Sequence, residues 1–249
     1  MFRRLSSGVK RFWAALAILS VEMTIILVLF ILAMIVFIYT TRRVIFLDKT
    51  TLDNKIFAYL DSHVSARNND VMLFFTFLGT HEFLIPANLL LIAYFAFIKK
   101  DKWYSIKIPA NALSSLIMMF ALKNMFNRHR PEVPLLEAAK GLSFPSGHAL
   151  FSVTFYGLLI YIVFKTIKKN DLKWTLIVML LLLILIIGFS RIYLRVLYPS
   201  DVAAGYCIGF MWLVFTIWLL NRIEKSAKAK LDQVIPPAPE GEGQRTALH

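Results

Sequence analysis

Long apolar runs, separated by short polar segments, dominate the pattern of this chain. Six of the runs are long enough to cross a bilayer as an α-helix, which takes about 20 residues. They cover about residues 12–39, 71–98, 104–126, 146–166, 174–194 and 201–220. The pattern predicts an all-α, polytopic membrane protein with six transmembrane helices. Within the second run, the polar pair His81 and Glu82 indicates either a functional kink or the boundary between membrane and water.

The segment between the first two runs is polar and mixed in charge. Apolar residues recur in it at every fourth position, at Leu52, Ile56, Leu60 and Val64. This spacing predicts an amphipathic helix on the membrane surface over about residues 45–66. Residues 223–249 are polar and contain several prolines, so we expect a disordered tail after a membrane domain of residues 1–222.

Composition agrees with a membrane protein and narrows the classes of function. Hydrophobic residues make up 58% of the chain, and the mean hydropathy is +0.65. A net charge of +13 could indicate nucleic acid, but the basic residues lie at the ends of the apolar runs, so no nucleic-acid partner is predicted. The single cysteine, Cys207, lies inside an apolar run, which leaves no intrachain disulfide and no multi-cysteine metal site.

The distribution of lysine predicts the orientation of the chain in the membrane. Six spans place both termini on one side, together with the turns at 99–102 and 168–173. These segments are rich in lysine, and the positive-inside tendency assigns them to the cytoplasm. The amphipathic segment and the loops at 127–145 and 195–200 then face outwards, towards the periplasm if the membrane is a bacterial inner membrane.

A small turn that ends in Ser146, Gly147 and His148 precedes the fourth span. Free backbone N–H groups and the helix dipole favour an anion at such a helix N-terminus. The Gly147 N–H and the Ser146 hydroxyl would hold phosphate oxygens, and His148 could give a proton to a departing oxygen. Taken alone, the turn would be interpreted as an ordinary helix cap.

Cations at the outer ends of spans three and five favour the phosphate site. Lys123, Arg128 and Arg130 end span three, and Arg191 ends span five. Such side chains often snorkel to the interface, but they are costly at membrane depth unless they line a polar cavity or face a partner. Asp201 fits a helix cap, and beside a phosphate site it fits the partner of a histidine. The predicted site therefore lies at the outer ends of helices 3–6.

These motifs resemble the three-part signature of the type 2 phosphatidic acid phosphatase superfamily over about residues 45–220. The motifs are Lys123 with Arg130–Pro131, the turn Pro145–His148, and Ser190–Arg191 with Asp201. The resemblance implies hydrolysis, without metal or cofactor, of a lipid phosphate or diphosphate such as phosphatidate, phosphatidylglycerophosphate or undecaprenyl diphosphate. It implies a phosphohistidine intermediate, supported by Asp201, and a leaving group protonated by His148. The residues that it implies for phosphate binding are Lys123, Arg130, Ser146, Gly147 and Arg191.

Position 197 departs from the family pattern. The family's nucleophilic histidine corresponds to Leu197, and leucine has no lone pair with which to attack phosphorus. Three explanations remain open: a variant of a standard phosphatase, a protein that binds or transports lipid phosphate without cleaving it, or reaction through another group. That group would be His129 or a water activated by His148, and Ser190 is a further candidate site residue.

Overall fold

The computed structural model describes residues 21–47, 50–131, 134–135 and 141–234, and the regular structure in these ranges is helical. The α-helices are α1 Val21–Thr41, α2 Thr51–Asp61, α3 Ala66–Phe77, α4 His81–Ala93, α5 Lys102–Phe126, α6 Gly147–Thr166, α7 Asn170–Tyr193 and α8 Pro199–Val234. Single π-helical turns, Arg42–Phe46 and Tyr94–Ile98, continue α1 and α4.

In the described part of the chain, six helical segments are long and apolar enough to cross a membrane. They are Met23–Phe46, His81–Ile98, Lys102–Phe126, Gly147–Thr166, Asn170–Tyr193 and Pro199–Leu231. The predicted all-α fold with six membrane helices is therefore confirmed. The apolar side chains of α1 are largely exposed, as expected of a helix whose outer face contacts lipid.

The second predicted span begins too early. Residues 71–77 belong to the separate helix α3, and the membrane-crossing segment begins at His81. Between the two helices Thr80 has extended backbone, which interrupts the helical hydrogen bonding. A side chain at Gly79 would place its Cβ 2.5 Å from Cγ2 of Ile187 on α7 and 3.2 Å from the ring of His148 on α6, so glycine lets this break lie directly against both helices. His81 and Glu82 form the first turn of α4, with side chains 80% and 65% exposed.

Two other predicted boundaries also move. Helix α8 continues to Val234, so the prediction of a disordered tail from residue 223 is wrong for residues 223–234. Residues 235–249 lie outside the described ranges. Helix α2, Thr51–Asp61, is shorter than the amphipathic segment predicted over 45–66.

Helix α6 lies at the centre of the bundle and packs against α5, α7 and α8. Its residues Leu150 and Leu158 are 0% and 1% exposed, and apolar side chains from the neighbouring helices surround them. At Gly205 of α8, a side chain would place its Cβ 2.6 Å from the carbonyl oxygen of Ser146. Glycine there lets α8 pack against the turn before α6, which joins two of the predicted motifs.

Candidate functional site

The turn before α6 is built from buried polar groups. Ser146 is fully buried and caps the helix, because its hydroxyl oxygen accepts a hydrogen bond from the Ala149 N–H at 3.2 Å. The Ser146 N–H donates to the carbonyl oxygen of Asp201 at 3.0 Å. The first turn of α6 is thereby held against the first turn of α8. The hydroxyl hydrogen of Ser146 can still be donated to a ligand.

Two nitrogen atoms at this place have no hydrogen-bond partner among the described residues. They are Nε2 of His148, on α6, and Nε of Arg191, on α7, and both atoms are buried. A buried polar group without a partner costs about 1–3 kcal/mol, so such groups are rare without a reason. Helices α6 and α7 pack along each other, and Arg191 acts electrostatically on His148. The pair marks a place where a hydrogen-bonding ligand would be stabilised.

Lys123 and Arg130 complete a cluster of positive charge around His148. Both are tethered by neutral carbonyl oxygens: Nζ of Lys123 donates to Leu142 at 2.8 Å, and Nε of Arg130 donates to Gly141 at 3.0 Å. Burial lowers the pKa of the Arg130 guanidinium, and the negative charge of Asp201 opposes that shift. Since carbonyls position these cations without neutralising them, the cluster is suited to an anion with more than one negative charge.

Asp201 is fully buried and already has a cationic partner. Its Oδ1 accepts from Nη1 of Arg128 at 2.5 Å, and its Oδ2 accepts from the Tyr198 N–H at 3.1 Å. Arg128 also lies over the Tyr198 ring, with its central carbon 3.9 Å from the ring centroid. The sequence pattern placed Arg128 among the cations at the end of span three but assigned it no partner. In the structure it offsets the charge of the acid that the resemblance assigns to catalysis.

Asp53, on α2, is a second buried acid in this network and was not among the residues predicted for the site. Its side chain is 2% exposed and accepts from the Ser200 N–H at 3.0 Å, from the Ser200 hydroxyl at 2.7 Å and from Nη2 of Arg128 at 3.3 Å. Asp53 lies on the same face of α2 as Ile56, which is one turn later. An acid on this apolar face was the one sequence feature that could have indicated a buried role for Asp53. The network fixes α2 to the start of α8.

Leu197 lies in a buried cluster with Ala149 and Val202. It is 2% exposed, and Ala149 directly follows His148. The position at which the family pattern places an imidazole is thus beside the first turn of α6, and a hydrocarbon side chain fills it. Packing at this position is satisfied without any polar group.

The two further candidates, His129 and Ser190, have hydrogen bonds to other parts of the chain. His129 is exposed, and its carbonyl oxygen accepts from the Ser143 hydroxyl at 2.9 Å. Ser190 is buried, and its hydroxyl is engaged with Thr76 of α3 at 2.6 Å and with the Ile187 carbonyl at 2.7 Å. Within the described ranges, no three His, Cys, Asp or Glu side chains are grouped closely enough to hold a metal ion.

A family model described as PAP2 superfamily matches residues 106–225, a range that contains all three motifs. Asp53 lies before the matched range. Its hydrogen bonds with Ser200 therefore join α8, inside that range, to a preceding segment of the chain. This match agrees with the predicted resemblance over about half of the chain. The roles assigned to single residues stay predictions.

Proteins similar to this chain include two named phosphatases. Phosphatidylglycerophosphatase B of Bacillus subtilis is 27% identical over 144 residues, which is 57% of this chain and 70% of the relative. Undecaprenyl-diphosphatase of Sulfolobus acidocaldarius is 26% identical over 167 residues, which is 65% of this chain and 74% of the relative. The crystal structure of a PAP2-type phosphatidylglycerolphosphate phosphatase from Bacillus subtilis aligns with a TM-score of 0.67 at 22% identity, covering 81% of this chain and 96% of that one. This structural likeness shows a shared fold.

Proposed function

We propose that this chain is an integral-membrane lipid phosphatase-type protein that takes a lipid phosphate monoester or diphosphate at the ends of α5 to α8. The observation that carries the proposal is the pair of buried, unpartnered nitrogens of His148 and Arg191 inside a cluster of cations. The printed names of the relatives, a phosphatidylglycerophosphatase and an undecaprenyl-diphosphatase, support this class of substrate. The membrane-spanning helices would keep the lipid tail in the bilayer while the phosphate reaches the cluster.

Each group has a distinct task in this proposal. Arg191 and Arg130 donate to phosphate oxygens in the forked geometry of guanidinium, and Lys123 adds a point charge. The Gly147 N–H and the Ser146 hydroxyl donate at the helix N-terminus. His148 gives a proton to the oxygen that leaves phosphorus, which prevents an unstable alkoxide from forming. No metal or cofactor is needed for these tasks.

Leu197 limits what the chain can do with a bound phosphate. Nucleophilic attack on phosphorus from position 197 is not available, because the leucine side chain has no lone pair. The remaining hydrolytic route is direct attack by water, in which a bond forms from water oxygen to phosphorus and the ester bond breaks. His148 then protonates the leaving oxygen, and a proton of the attacking water is lost to a phosphate oxygen. Leu197 also favours a second function, capture of lipid phosphate without turnover.

The proposed orientation places the phosphate site on the non-cytoplasmic side, with both termini in the cytoplasm, in a bacterial inner membrane. The lysine-rich turns between α4 and α5 and between α6 and α7 lie at the opposite end of the bundle from His148. In a Cys207→Ser background, a cysteine introduced at Pro134 should react with a membrane-impermeant maleimide on intact cells, and one at Asn170 should not. The reverse pattern would contradict this orientation.

Phosphate release from the purified protein tests the proposed chemistry. Phosphatidate, phosphatidylglycerophosphate and undecaprenyl diphosphate would each be supplied in mixed micelles to the parent chain and to Leu197→His. We expect slow or no release by the parent chain and clear release by Leu197→His that is lost again in Leu197→His/His148→Ala. Leu197→Asn is the matched control, because it adds a polar group without a nucleophilic imidazole. Equal release by Leu197→His and Leu197→Asn would contradict the assigned role of position 197.

A further inference from the structure

A second concave site lies at the other end of the bundle, between α1, α6 and α8. It encloses about 880 Å³. Its walls are mainly apolar, with Ile26, Leu27 and Phe30 from α1 and with Phe215 and Trp218 from α8. It reaches Lys165 on α6, which is 17 residues after His148 along the same helix, or about 25 Å at the rise of an α-helix. This interhelical groove is therefore separate from the phosphate site.

The polar end of the groove carries a surplus of positive charge. Lys165, Lys225 and Lys228 line it together with one acid, Glu224. That acid is already paired, with Lys228 at 2.6 Å and with the buried Lys107 at 2.5 Å. Lys165 and Lys225 are exposed, and neither makes an ion pair within the described residues. The groove therefore has apolar walls along its length and, at one end, two lysines whose charge is not paired with an acid in the described residues.

The polar end of the groove is formed by the part of α8 that continues beyond the apolar residues of the helix. Lys225 and Lys228 come after Leu220, where the sequence pattern predicted the end of the last span. The continued helix presents them at the mouth of the groove rather than in a free tail. Asn221 helps to fix this turn, since its Oδ1 accepts from Lys107 Nζ at 2.7 Å.

We propose that the interhelical groove binds an anionic phospholipid. An acyl chain would lie along the apolar walls, and the phosphate would contact Lys165 and Lys225 at the polar end. Basic pockets between transmembrane helices commonly hold acidic lipid head groups, because hydrocarbon burial and charge act on the same molecule. A lipid with a cationic choline head group would bring a positive charge to the same lysines and would be disfavoured. The site therefore selects lipids with a net negative charge, such as phosphatidylglycerol.

Trp218 gives this site its own optical signal, because its side chain lines the groove and is 55% exposed. The full-length protein would be reconstituted in phosphatidylcholine vesicles that contain either brominated phosphatidylglycerol or brominated phosphatidylcholine as the quencher. We expect stronger quenching by the brominated phosphatidylglycerol, and the difference should disappear in Trp218→Phe. Lipid bound at the distant phosphate site would not quench this residue.

The decisive comparison uses two double variants that remove the same charge. Lys165→Gln/Lys225→Gln should weaken the preference for phosphatidylglycerol about thirtyfold, as expected from the loss of two head-group contacts. Lys168→Gln/Lys230→Gln, outside the groove, should leave the preference close to that of the parent chain. Equal quenching by the two lipids, or an equal loss in both double variants, would overturn the proposal, because general surface charge would then explain the binding.

Discussion

Replacing Arg128 with Gln tests the buried network that joins α2 to the phosphate site. Arg128 is 11% exposed in its side chain and contacts two carboxylates, those of Asp53 and Asp201, which are 2% and 0% exposed. Gln keeps a hydrogen-bonding side chain but removes the cation, so two buried acids lose the ion-pair partner that contacts them. Breaking a buried ion pair in this way destabilises a protein by about 3–5 kcal/mol. We expect about 3 kcal/mol here, since some water can reach Arg128.

The effect is measured by thermal unfolding of the purified protein in detergent. A loss of about 3 kcal/mol corresponds to a fall in Tm of about 6–12 °C for a chain of this size. Arg67→Gln, an exposed arginine on α3, is the matched control and should change Tm little. Arg128→Gln combined with Asp53→Asn should cost less than the sum of the two single changes, because the second change removes one unpaired charge. A Tm for Arg128→Gln equal to that of Arg67→Gln would refute the reasoning.

Three further predictions concern contacts around the two sites. Gly79→Val should lower phosphate release in a Leu197→His background, because its side chain would press on Ile187 and on the His148 ring, and unchanged release would count against these contacts. Ser190→Ala should lower stability by about 1 kcal/mol by removing the bond to Thr76, as measured by thermal unfolding, with an unchanged Tm as the contrary result. Lys107→Met should lower Tm more than Lys102→Met, since Glu224 loses a buried partner; equal effects would contradict this role.

The membrane fold was predictable because apolar length alone specifies a spanning helix. Runs such as 104–126 and 146–166 have few polar residues, and their predicted ends agree with α5 and α6 within two residues. The second span was harder, because residues 71–78 are apolar enough to extend it. The break between α3 and α4 includes Gly79, which passes close to Ile187 of α7 and His148 of α6, and no local pattern contains these tertiary contacts.

The candidate site was predictable only in part. Lys123, Arg130, His148 and Arg191 carry charge or hydrogen-bonding groups at membrane depth, which is unusual enough to be noticed in a sequence. Asp53 lies on a surface helix, where an acid is ordinary, and its role appears only when α2 packs over Ser200. The partners of Arg128 were not predictable for the same reason, since they are 75 and 73 residues away along the chain.

The central claim is that the ends of α5, α6 and α7 near His148 form one pocket for a lipid phosphate. Binding of a short-chain phosphatidate tests this claim most directly. Isothermal titration calorimetry of the parent chain needs no turnover, so Leu197 does not complicate the result. We predict that Arg191→Gln weakens binding by at least about tenfold, the effect of losing one charge-assisted hydrogen bond. Arg67→Gln should bind like the parent chain. Equal affinity of the parent chain and Arg191→Gln would contradict the account.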